Sequence, residues 1–404
     1  MVACAFMLMF VNVGYPSTSF SVYQPYLVAQ PEISHSGASI IVSSRALASL
    51  LTMSLVAIYY KKFNCRIGIS AATLCTAIGF FLYSFSNNLT MYVIGSVVAG
   101  IGYGLGGGVG MTILISNWFV SDTGKALGIT TIGSGVAGVV VPFFAKYLID
   151  LASLQVAFAV EAMSALVIAV LLFLIIRNKP DDISIAAYGA EKIKNIKDTN
   201  SKIKIDNSES KPLLPKFKYR LFLLAVILIG SEIASVTFIS VLLTSNNYDF
   251  VLAALAVSIT SICLSVGKPW TGFIFDKFGT LKGTIIQFAI LILGNILLCF
   301  VQFGFAEFSL IAVGIFGFGT AIATVGISKW SLEFSRKNIR EKVVRDFQAA
   351  YAFGGFVFGM VPGFIAEFTN EYNTYYFIQI LLIVISFAII VYVYPHNNRN
   401  NKFK

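Results

Sequence analysis

Charged residues are scarce in this chain. Asp, Glu, Lys and Arg make up 12% of its 404 residues, whereas a soluble domain carries about 25%. Hydrophobic residues make up 57%. A chain this poor in charge and this rich in apolar side chains does not fold as an ordinary soluble globule, and its composition indicates a membrane protein.

Residues that carry metal or catalytic chemistry are also few. The two histidines, His35 and His396, lie far apart, and the five cysteines form neither a Cys-x-x-Cys pair nor an even-numbered disulfide framework. The chain has no HExxH or GxSxG motif. Gly102, Gly104 and Gly107 have the spacing of a dinucleotide fingerprint, but they lie in an apolar run that no strand precedes. We therefore expect no metal, no cofactor and no enzymatic activity.

Long apolar segments dominate the sequence. A segment of about 18 residues or more can cross a bilayer as a helix, and the chain contains twelve of them. They fall at about 3–28, 38–60, 67–86, 91–114, 125–148, 153–176, 219–244, 251–274, 283–303, 307–328, 346–366 and 373–394. The polar stretch 177–218 is rich in Lys, Asn, Asp and Ser, which is typical of a flexible linker.

Two patterns recur between the halves that this linker separates. Lys-Phe-Asn at 62–64, after the second span, recurs as Lys-Phe-Gly at 277–279, after the eighth. A Gly followed seven residues later by Pro begins at 135 and again at 355. Parallel repeats of this kind occur in secondary transporters. We predict an all-α membrane protein in which twelve transmembrane helices form two six-helix bundles, residues 1–176 and 219–394, joined by a linker at 177–218 and followed by a tail at 395–404.

The basic residues are unevenly distributed. Of the 29 Lys and Arg residues, only Lys146 falls on one side of the predicted membrane, and Arg45 and Lys268 fall within spans. All the others fall on the side that holds the linker and the C-terminal tail. Basic loops face the cytoplasm, so we expect both termini and the linker to be cytoplasmic. This bias accounts for the net charge of +10 without a nucleic-acid partner.

Four charged residues lie well inside predicted spans, away from the span ends: Arg45, Glu161, Glu232 and Lys268. A charge at the bilayer centre costs about 2.5–3.5 kcal/mol on insertion scales, so each of them needs a partner or a function. Lys268 either serves function or extends along its stem to the membrane interface. Arg45 either lines a central cavity or forms a structural ion pair. Glu232 is a candidate for proton coupling or for pairing with a cation, against a purely structural role.

Two motifs carry a resemblance to a known family. The turn that begins at Gly272, GFIFDKFGTLK, resembles the loop motif of the major facilitator superfamily, with Gly272, Asp276, Lys277 and Gly279 at motif positions. Its first-half copy at 59–66 keeps the basic residues but has lost the acid and the glycine. The stretch 117–135 resembles the motif between spans four and five of monocarboxylate porters and oxalate/formate antiporters, although Ser-Asp-Thr stands at 121–123 where basic residues are usual.

This resemblance implies a transporter fold and a set of site residues. Lys268-Pro269-x-x-Gly272 resembles the Arg-Pro-x-x-Gly of span eight, whose cation anchors a substrate carboxylate, although Lys lacks the bidentate fork of Arg. The resemblance implies alternating access for a small organic anion, with a monocarboxylate favoured over oxalate. Lys268 and Arg45 would hold the carboxylate. The seventh span faces the cavity in this fold and the sixth lies outside, which favours Glu232 over Glu161 for proton coupling.

Aromatic residues that could line the cavity are Tyr23, Trp270 and Tyr351, and Tyr103 is a further candidate. The motif turn and the Gly-rich fourth span would serve the rocking of the two bundles, because small residues let helices approach closely. We expect a monomer in the cell membrane whose partners are the anion, protons and lipid. Proton symport and anion exchange both remain open.

Other functions remain possible from the sequence. A carrier for a neutral or cationic small molecule, such as a drug exporter, is the main alternative. A receptor without transport activity and a membrane enzyme are the others, and no sequence feature favours either.

Overall fold

The computed structural model describes residues 1–119, 123–188, 214–335 and 339–400. This part of the chain contains twelve helices that are long and apolar enough to cross a membrane. We label them α1 (Val2–Val28), α2 (His35–Val56), α3 (Cys65–Ser84), α4 (Leu89–Trp118), α5 (Ala126–Leu151), α6 (Leu154–Ile175), α7 (Lys216–Thr237), α8 (Phe250–Phe278), α9 (Thr280–Cys299), α10 (Ala306–Glu333), α11 (Lys342–Thr369) and α12 (Asn373–Tyr394). The predicted all-α class and its twelve spans are confirmed, and the described residues form no strand beyond an isolated bridge between Phe119 and Tyr188.

We call α1–α6 the first half and α7–α12 the second half. Most of the predicted linker, residues 189–213, and the last four residues of the tail, 401–404, lie outside the described residues. The predicted boundaries of the two bundles, the linker and the tail therefore stay predictions.

Polar caps begin five of the transmembrane helices. Ser34, Asn64, Asn88, Ser153 and Asp249 each accept a hydrogen bond from the backbone N–H three residues further along the chain. These bonds satisfy amide groups that the first turn of a helix leaves free. The caps of α2, α4, α6 and α8 share one end of the bundle, which we call the far end. The opposite end carries the turn between α8 and α9 and the segments that flank residues 189–213, and we call it the linker end.

Five transmembrane helices are interrupted in the described residues: α1, α4, α7, α10 and, at Met360, α11. Helix α1 passes into a π-helix at Phe10–Thr18, which contains Pro16, and then into a 3-10 stretch at Phe20–Tyr23. The other breaks fall at Gly107 in α4, between Ile229 and Glu232 in α7, and between Gly319 and Ile322 in α10. Interrupted helices are tolerated at membrane depth where they line a cavity or are buried in protein.

The freed backbone groups of α1 are satisfied by nearby hydroxyls. The carbonyl oxygen of Gly14 accepts hydrogen bonds from Ser19 Oγ at 2.8 Å and from Thr18 Oγ1 at 3.0 Å. Thr18 Oγ1 also lies 2.9 Å from the carbonyl oxygen of Ser134 in α5. The break in α1 is therefore a hydrogen-bonded element of the fold.

The glycines of α4 let it pack closely between two neighbours. A Cβ at Gly100 would lie 2.5 Å from the carbonyl oxygen of Arg45 in α2, and one at Gly102 would lie 2.7 Å from the carbonyl oxygen of Ala72 in α3. Successive even-numbered glycines thus face α2 and α3 in turn, as the small-residue spacing predicts. Any larger side chain would force these helices apart.

The two halves meet toward the far end. Gly363 N donates to Ser39 Oγ at 2.8 Å, and the Tyr372 hydroxyl lies 2.8 Å from Nδ1 of His35. The Ser258 hydroxyl donates to the carbonyl oxygen of Val139 at 3.0 Å. Within the described residues, every hydrogen bond between the halves lies at mid-depth or nearer the far end. The structure is therefore closed at the far end.

Gly102→Ala tests the close approach of α4 and α3. The added methyl would lie 2.7 Å from the Ala72 carbonyl oxygen, and overpacking of this kind costs about 1–3 kcal/mol. We expect a lower midpoint of thermal unfolding in detergent. Gly108→Ala is the matched control, because no described atom lies within 4 Å of its Cβ position. Equal midpoints for the two variants would contradict the packing described here.

Candidate functional site

A cavity of about 260 Å³ lies between the two halves. Helices α1, α2, α4 and α5 of the first half and α7, α8, α10 and α11 of the second half contribute to its wall. Its polar lining, apart from three charged residues, consists of Ser17, Thr18, Ser49, Tyr103, Ser134, Thr237, Thr320, Thr324, Gln348 and Tyr351. Sites for drug-sized ligands enclose about 300–1,000 Å³. The cavity is slightly smaller than these sites, so it suits a molecule smaller than a drug.

Arg45 is the charged residue that the first half contributes to this cavity. Its side chain is 5% exposed, and no carboxylate in the described residues lies within 4 Å of it. Nη1 has no hydrogen-bond partner among those residues. The guanidinium carbon lies 4.9 Å from the centroid of the Phe20 ring. Of the two alternatives for Arg45, the structure thus shows the cavity-lining one.

Lys268 comes from α8 in the second half and lines the same cavity. It precedes Pro269, which α8 accommodates without ending. No carboxylate in the described part of the chain lies within 4 Å of its ammonium group. Each half therefore contributes one cation without a described counter-charge, and the low dielectric of the surroundings strengthens their attraction for an anion.

Glu232 is the third charged residue at the cavity and begins the second piece of α7. It is 1% exposed. Its Oε1 accepts hydrogen bonds from Gln379 Nε2 at 2.8 Å and from Asn295 Nδ2 at 3.5 Å. Oε2 has no partner among the described residues. The carboxyl group therefore points toward α9 and α12, while the residue itself reaches the cavity wall.

Asn295 and Gln379, the partners of Glu232, were not predicted from the sequence. The available signal was that each is a lone amide within an apolar run, LILGNILL and YYFIQILL. A polar residue at such a position needs a hydrogen-bond partner inside the bundle. What the sequence could not supply was the identity of that partner on another helix.

Tyr351 lines the cavity as predicted, together with Tyr103. Trp270 does not, and this corrects its prediction as a substrate contact. Its side chain is 47% exposed and packs against the rings of Phe273 and Phe318. The physical reason is helix geometry, since two residues along an α-helix are about 200° apart around its axis. Lys268 and Trp270 cannot both face the cavity.

Tyr23 also lies away from the cavity, contrary to its predicted role as a lining residue. It is fully buried, and its hydroxyl donates to Oε1 of Glu161 in α6. The 3-10 stretch of α1 turns this ring toward the aromatic core of the first half, where its centroid lies 4.3 Å from that of Phe158. Glu161 is 7% exposed and does not line the cavity.

The residues of the predicted conformational motif lie at the linker end of α8. Gly279 has a φ of +83°, a conformation that residues with a side chain rarely adopt. Asp276 accepts a hydrogen bond from the Lys329 ammonium of α10 at 3.2 Å, and Lys277 lies 5.5 Å from the Phe273 ring. No described atom lies near the Cβ position of Gly272. The motif thus joins the linker ends of α8 and α10.

The degenerate first-half copy is held by neutral groups. The hydroxyl of Tyr59 donates to the Gly68 carbonyl at 2.8 Å, and that of Tyr60 donates to the Leu105 carbonyl at 3.0 Å. These tyrosines lie in the last turns of the helix His35–Lys62, which continues α2, and connect it to α3 and α4 without the missing acid.

The other quoted motif holds the chain that follows α6. Trp118 Nε1 donates to the carbonyl oxygen of Arg177 at 3.1 Å, and Asn117 Nδ2 to that of Asn178 at 3.2 Å. Residues 120–122 of this motif lie outside the described residues. The motif therefore fixes the first residues of the predicted linker to the end of α4.

Comparisons with known proteins agree with this architecture. The sequence model of the Major Facilitator Superfamily matches residues 2–344 and 220–404. A crystal structure of the nucleoside transporter NupG has a TM-score of 0.71 at 14% identity, covering 96% of this chain and 98% of that one. The inward open xylose transporter XylE from E. coli has a TM-score of 0.76 at 15% identity, covering 98% and 95%. No curated protein sequence matches this chain.

A D-xylose-proton symporter gives a TM-score of 0.74 at 15% identity, covering 98% of this chain and 97% of that one. At such identities a likeness to solved structures shows the fold alone. The monocarboxylate porter and oxalate/formate antiporter branch, named from two sequence motifs, stays a prediction.

Gln379→Leu tests the hydrogen bond that Gln379 donates to Glu232. The change removes the shorter of the two hydrogen bonds that Oε1 accepts. Loss of a donor to a buried acceptor costs about 1–3 kcal/mol, so we expect a lower midpoint of thermal unfolding in detergent. Adding Glu232→Gln should recover part of this loss, because a buried amide costs less than a buried charge. A variant as stable as the original protein would show that the hydrogen bond contributes nothing.

Proposed function

The chain belongs to the Major Facilitator Superfamily and is a secondary transporter rather than an enzyme, and we propose that it carries a small organic anion, with monocarboxylates as the first substrate class. The solute would enter the cavity between the two halves and cross as the halves rock about it. Alternating access around a site at mid-membrane is the general scheme of such carriers.

One observation supports an anionic substrate above all. Arg45 and Lys268 line one cavity from opposite halves, and neither has an acidic partner within 4 Å in the described residues. Cations inside a membrane protein are rare and costly unless they pair with an opposite charge or face a water-filled path. A carboxylate that reaches both of them would offset this cost and would hold the two halves together.

The two cations would recognise the carboxylate differently. The Arg45 guanidinium offers a planar fork of N–H donors, whereas the Lys268 ammonium acts as a compact point charge. The hydroxyls of Tyr103 and Tyr351 on the same wall would donate to the carboxylate or to a polar substituent on it. A wall in which hydroxyls far outnumber charges suits a small anion with few charged groups.

We further propose that the linker end faces the cytoplasm of a cell whose plasma membrane holds the protein. The excess of Lys and Arg at this end supports that orientation. The hydrogen bonds between α2 and α11 would then close the outer side, and the bundles at 1–176 and 219–394 would be the two moving bodies.

Glu232 is our proposed proton-coupling group. It reaches the cavity wall, its Oε2 lacks a partner among the described residues, and two amides hold its Oε1. A proton gained or lost there would change the charge near the two cations by one unit. Such a change would favour either binding or release of the anion.

Lys268→Ala tests the anion site. In proteoliposomes that hold the purified protein, uptake of labelled lactate, pyruvate or acetate should fall at least tenfold, because the carboxylate loses a charged partner worth about 1.5–3 kcal/mol. Lys268→Arg should keep part of the uptake. Lys216→Ala, which removes an exposed lysine at the linker end, should leave uptake unchanged.

If Lys268→Ala leaves the uptake of these acids unchanged, Lys268 is not part of an anion site. Specific uptake of a neutral sugar or nucleoside that Lys268→Ala leaves unchanged would instead favour a carrier for a different solute class.

Glu232→Gln tests proton coupling. An outward gradient of the transported acid should move protons in vesicles loaded with a pH-sensitive dye, and the variant should lose this proton movement while it still exchanges labelled for unlabelled substrate. Glu307→Gln, at an exposed position in α10, is the matched control. Substrate transport without proton movement in the original protein would refute the role of Glu232 and would indicate anion exchange.

A further inference from the structure

The 3-10 stretch of α1, Phe20–Tyr23, lies where the two halves meet. The hydroxyl of Ser240, in the helix Ile239–Ser245 that follows α7, donates to the carbonyl oxygen of Ser21. The two serine hydroxyls also lie 3.2 Å apart, and both residues are fully buried. Ser21 is therefore part of the contact that closes the far end.

The residue before Ser21 supports the cation of the first half. Phe20 is fully buried, and its ring centroid lies 4.9 Å from the guanidinium carbon of Arg45. Among the described residues the Arg45 side chain has neither a hydrogen bond nor an ion pair. Its interaction with the protein is the cation–π contact with the Phe20 ring. A guanidinium that stacks on a ring keeps the N–H groups at its edge free to bind a carboxylate in its own plane.

The stretch is also held from behind by the first half. The Phe20 ring centroid lies 5.7 Å from that of Tyr83 and 6.0 Å from that of Tyr23, whose hydroxyl donates to Glu161. These contacts fix the position of the Phe20 ring within the first half. The irregular π-helix at Phe10–Thr18 separates this stretch from the regular part of α1, and such interruptions are frequent at functional sites.

We propose that Phe20 is a positioning residue that couples anion binding at Arg45 to closure of the far end. The proposal rests on the proposed anion transport, and it adds the path from the site to the closure. With the far end closed, Ser21 meets Ser240 and Phe20 lies against Arg45. In this proposal, opening the far end breaks the contact between the two serines, lets the stretch Phe20–Tyr23 shift within the first half and weakens the support of the guanidinium. By reciprocity, an anion that binds the supported Arg45 favours the closed far end.

Phe20→Leu tests the coupling, because it keeps an apolar side chain and removes the ring face. The affinity for lactate, pyruvate or acetate, measured by equilibrium binding to purified protein, should fall by roughly 2- to 30-fold, the range of a cation–π contact. Phe20→Tyr keeps the ring and should bind within about twofold of the original protein. Phe80→Leu is the matched control: Phe80 is a fully buried ring of the same aromatic cluster without contact to Arg45. It should lower stability and leave affinity unchanged.

A second measurement follows the closure without any substrate. Ser39→Cys places a thiol where Gly363 N meets Ser39 Oγ at the far end. In a background whose five native cysteines are replaced by Ala, a membrane-impermeant thiol reagent added on the far side should label this thiol faster when Phe20→Leu is also present. Phe80→Leu should not change the labelling rate.

The outcomes separate the two proposals. If the original protein binds none of the three acids, the anion proposal fails, and the labelling rate still tests whether Phe20 supports closure. If Phe20→Leu leaves both affinity and labelling rate unchanged, or if Phe80→Leu changes them equally, the coupling role of Phe20 is wrong.

Discussion

Two cations inside an apolar bundle are the constraint on which the rest of this structure depends. Lys268 and Arg45 lie on helices from different halves, and the described residues offer them no acidic partner. Such charges are tolerable only where the chain surrounds them with polar groups and room for water. The cavity wall meets this need with hydroxyls at mid-membrane depth, and the sequence keeps its few remaining buried carboxyl groups, Glu161 and Glu232, hydrogen-bonded.

The interrupted helices follow from the same requirement. In hydrocarbon every backbone group must be satisfied within the chain, so an unwound stretch survives only against protein or a polar cavity. Helices α1, α4, α7 and α10 each lose their regular course near residues that line the cavity, such as Thr18, Tyr103, Glu232 and Thr320. These helices are spaced three apart along the chain. Each of them combines an interrupted backbone with a place at the central cavity, and so does α11, which is interrupted at Met360.

The sequence was sufficient for the spans and for the charged part of the site. Hydropathy places α8 at about 251–274, and the helix runs Phe250–Phe278. The seventh span, predicted at 219–244, runs Lys216–Thr237 and continues after Phe238 as Ile239–Ser245, but hydropathy does not register the breaks beside Gly230 and Phe238. Lys268, Arg45 and Glu232 stood out because charge in an apolar run is conspicuous.

The remaining site residues could not be predicted from the sequence, because their positions depend on how the helices pack against one another. Whether Trp270 or Lys268 faces inward depends on the rotation of α8, which packing sets. The partners of Glu232 come from helices 63 and 147 residues away along the chain. Phe20 gave no signal, because a phenylalanine in an apolar segment is ordinary until an arginine is found above its ring.

Different kinds of contact hold the turns at the linker ends of the two halves. In the second half the contact is ionic and solvent-exposed, with the side chains of Lys329 and Asp276 exposed by 41% and 77%. In the first half the tyrosine hydroxyls bind backbone carbonyls and carry no formal charge. Dissolved ions screen exposed charge pairs over about 8 Å at physiological ionic strength and leave neutral hydrogen bonds almost untouched. High ionic strength at the linker end would therefore weaken the contact of the second half and leave the contact of the first half intact.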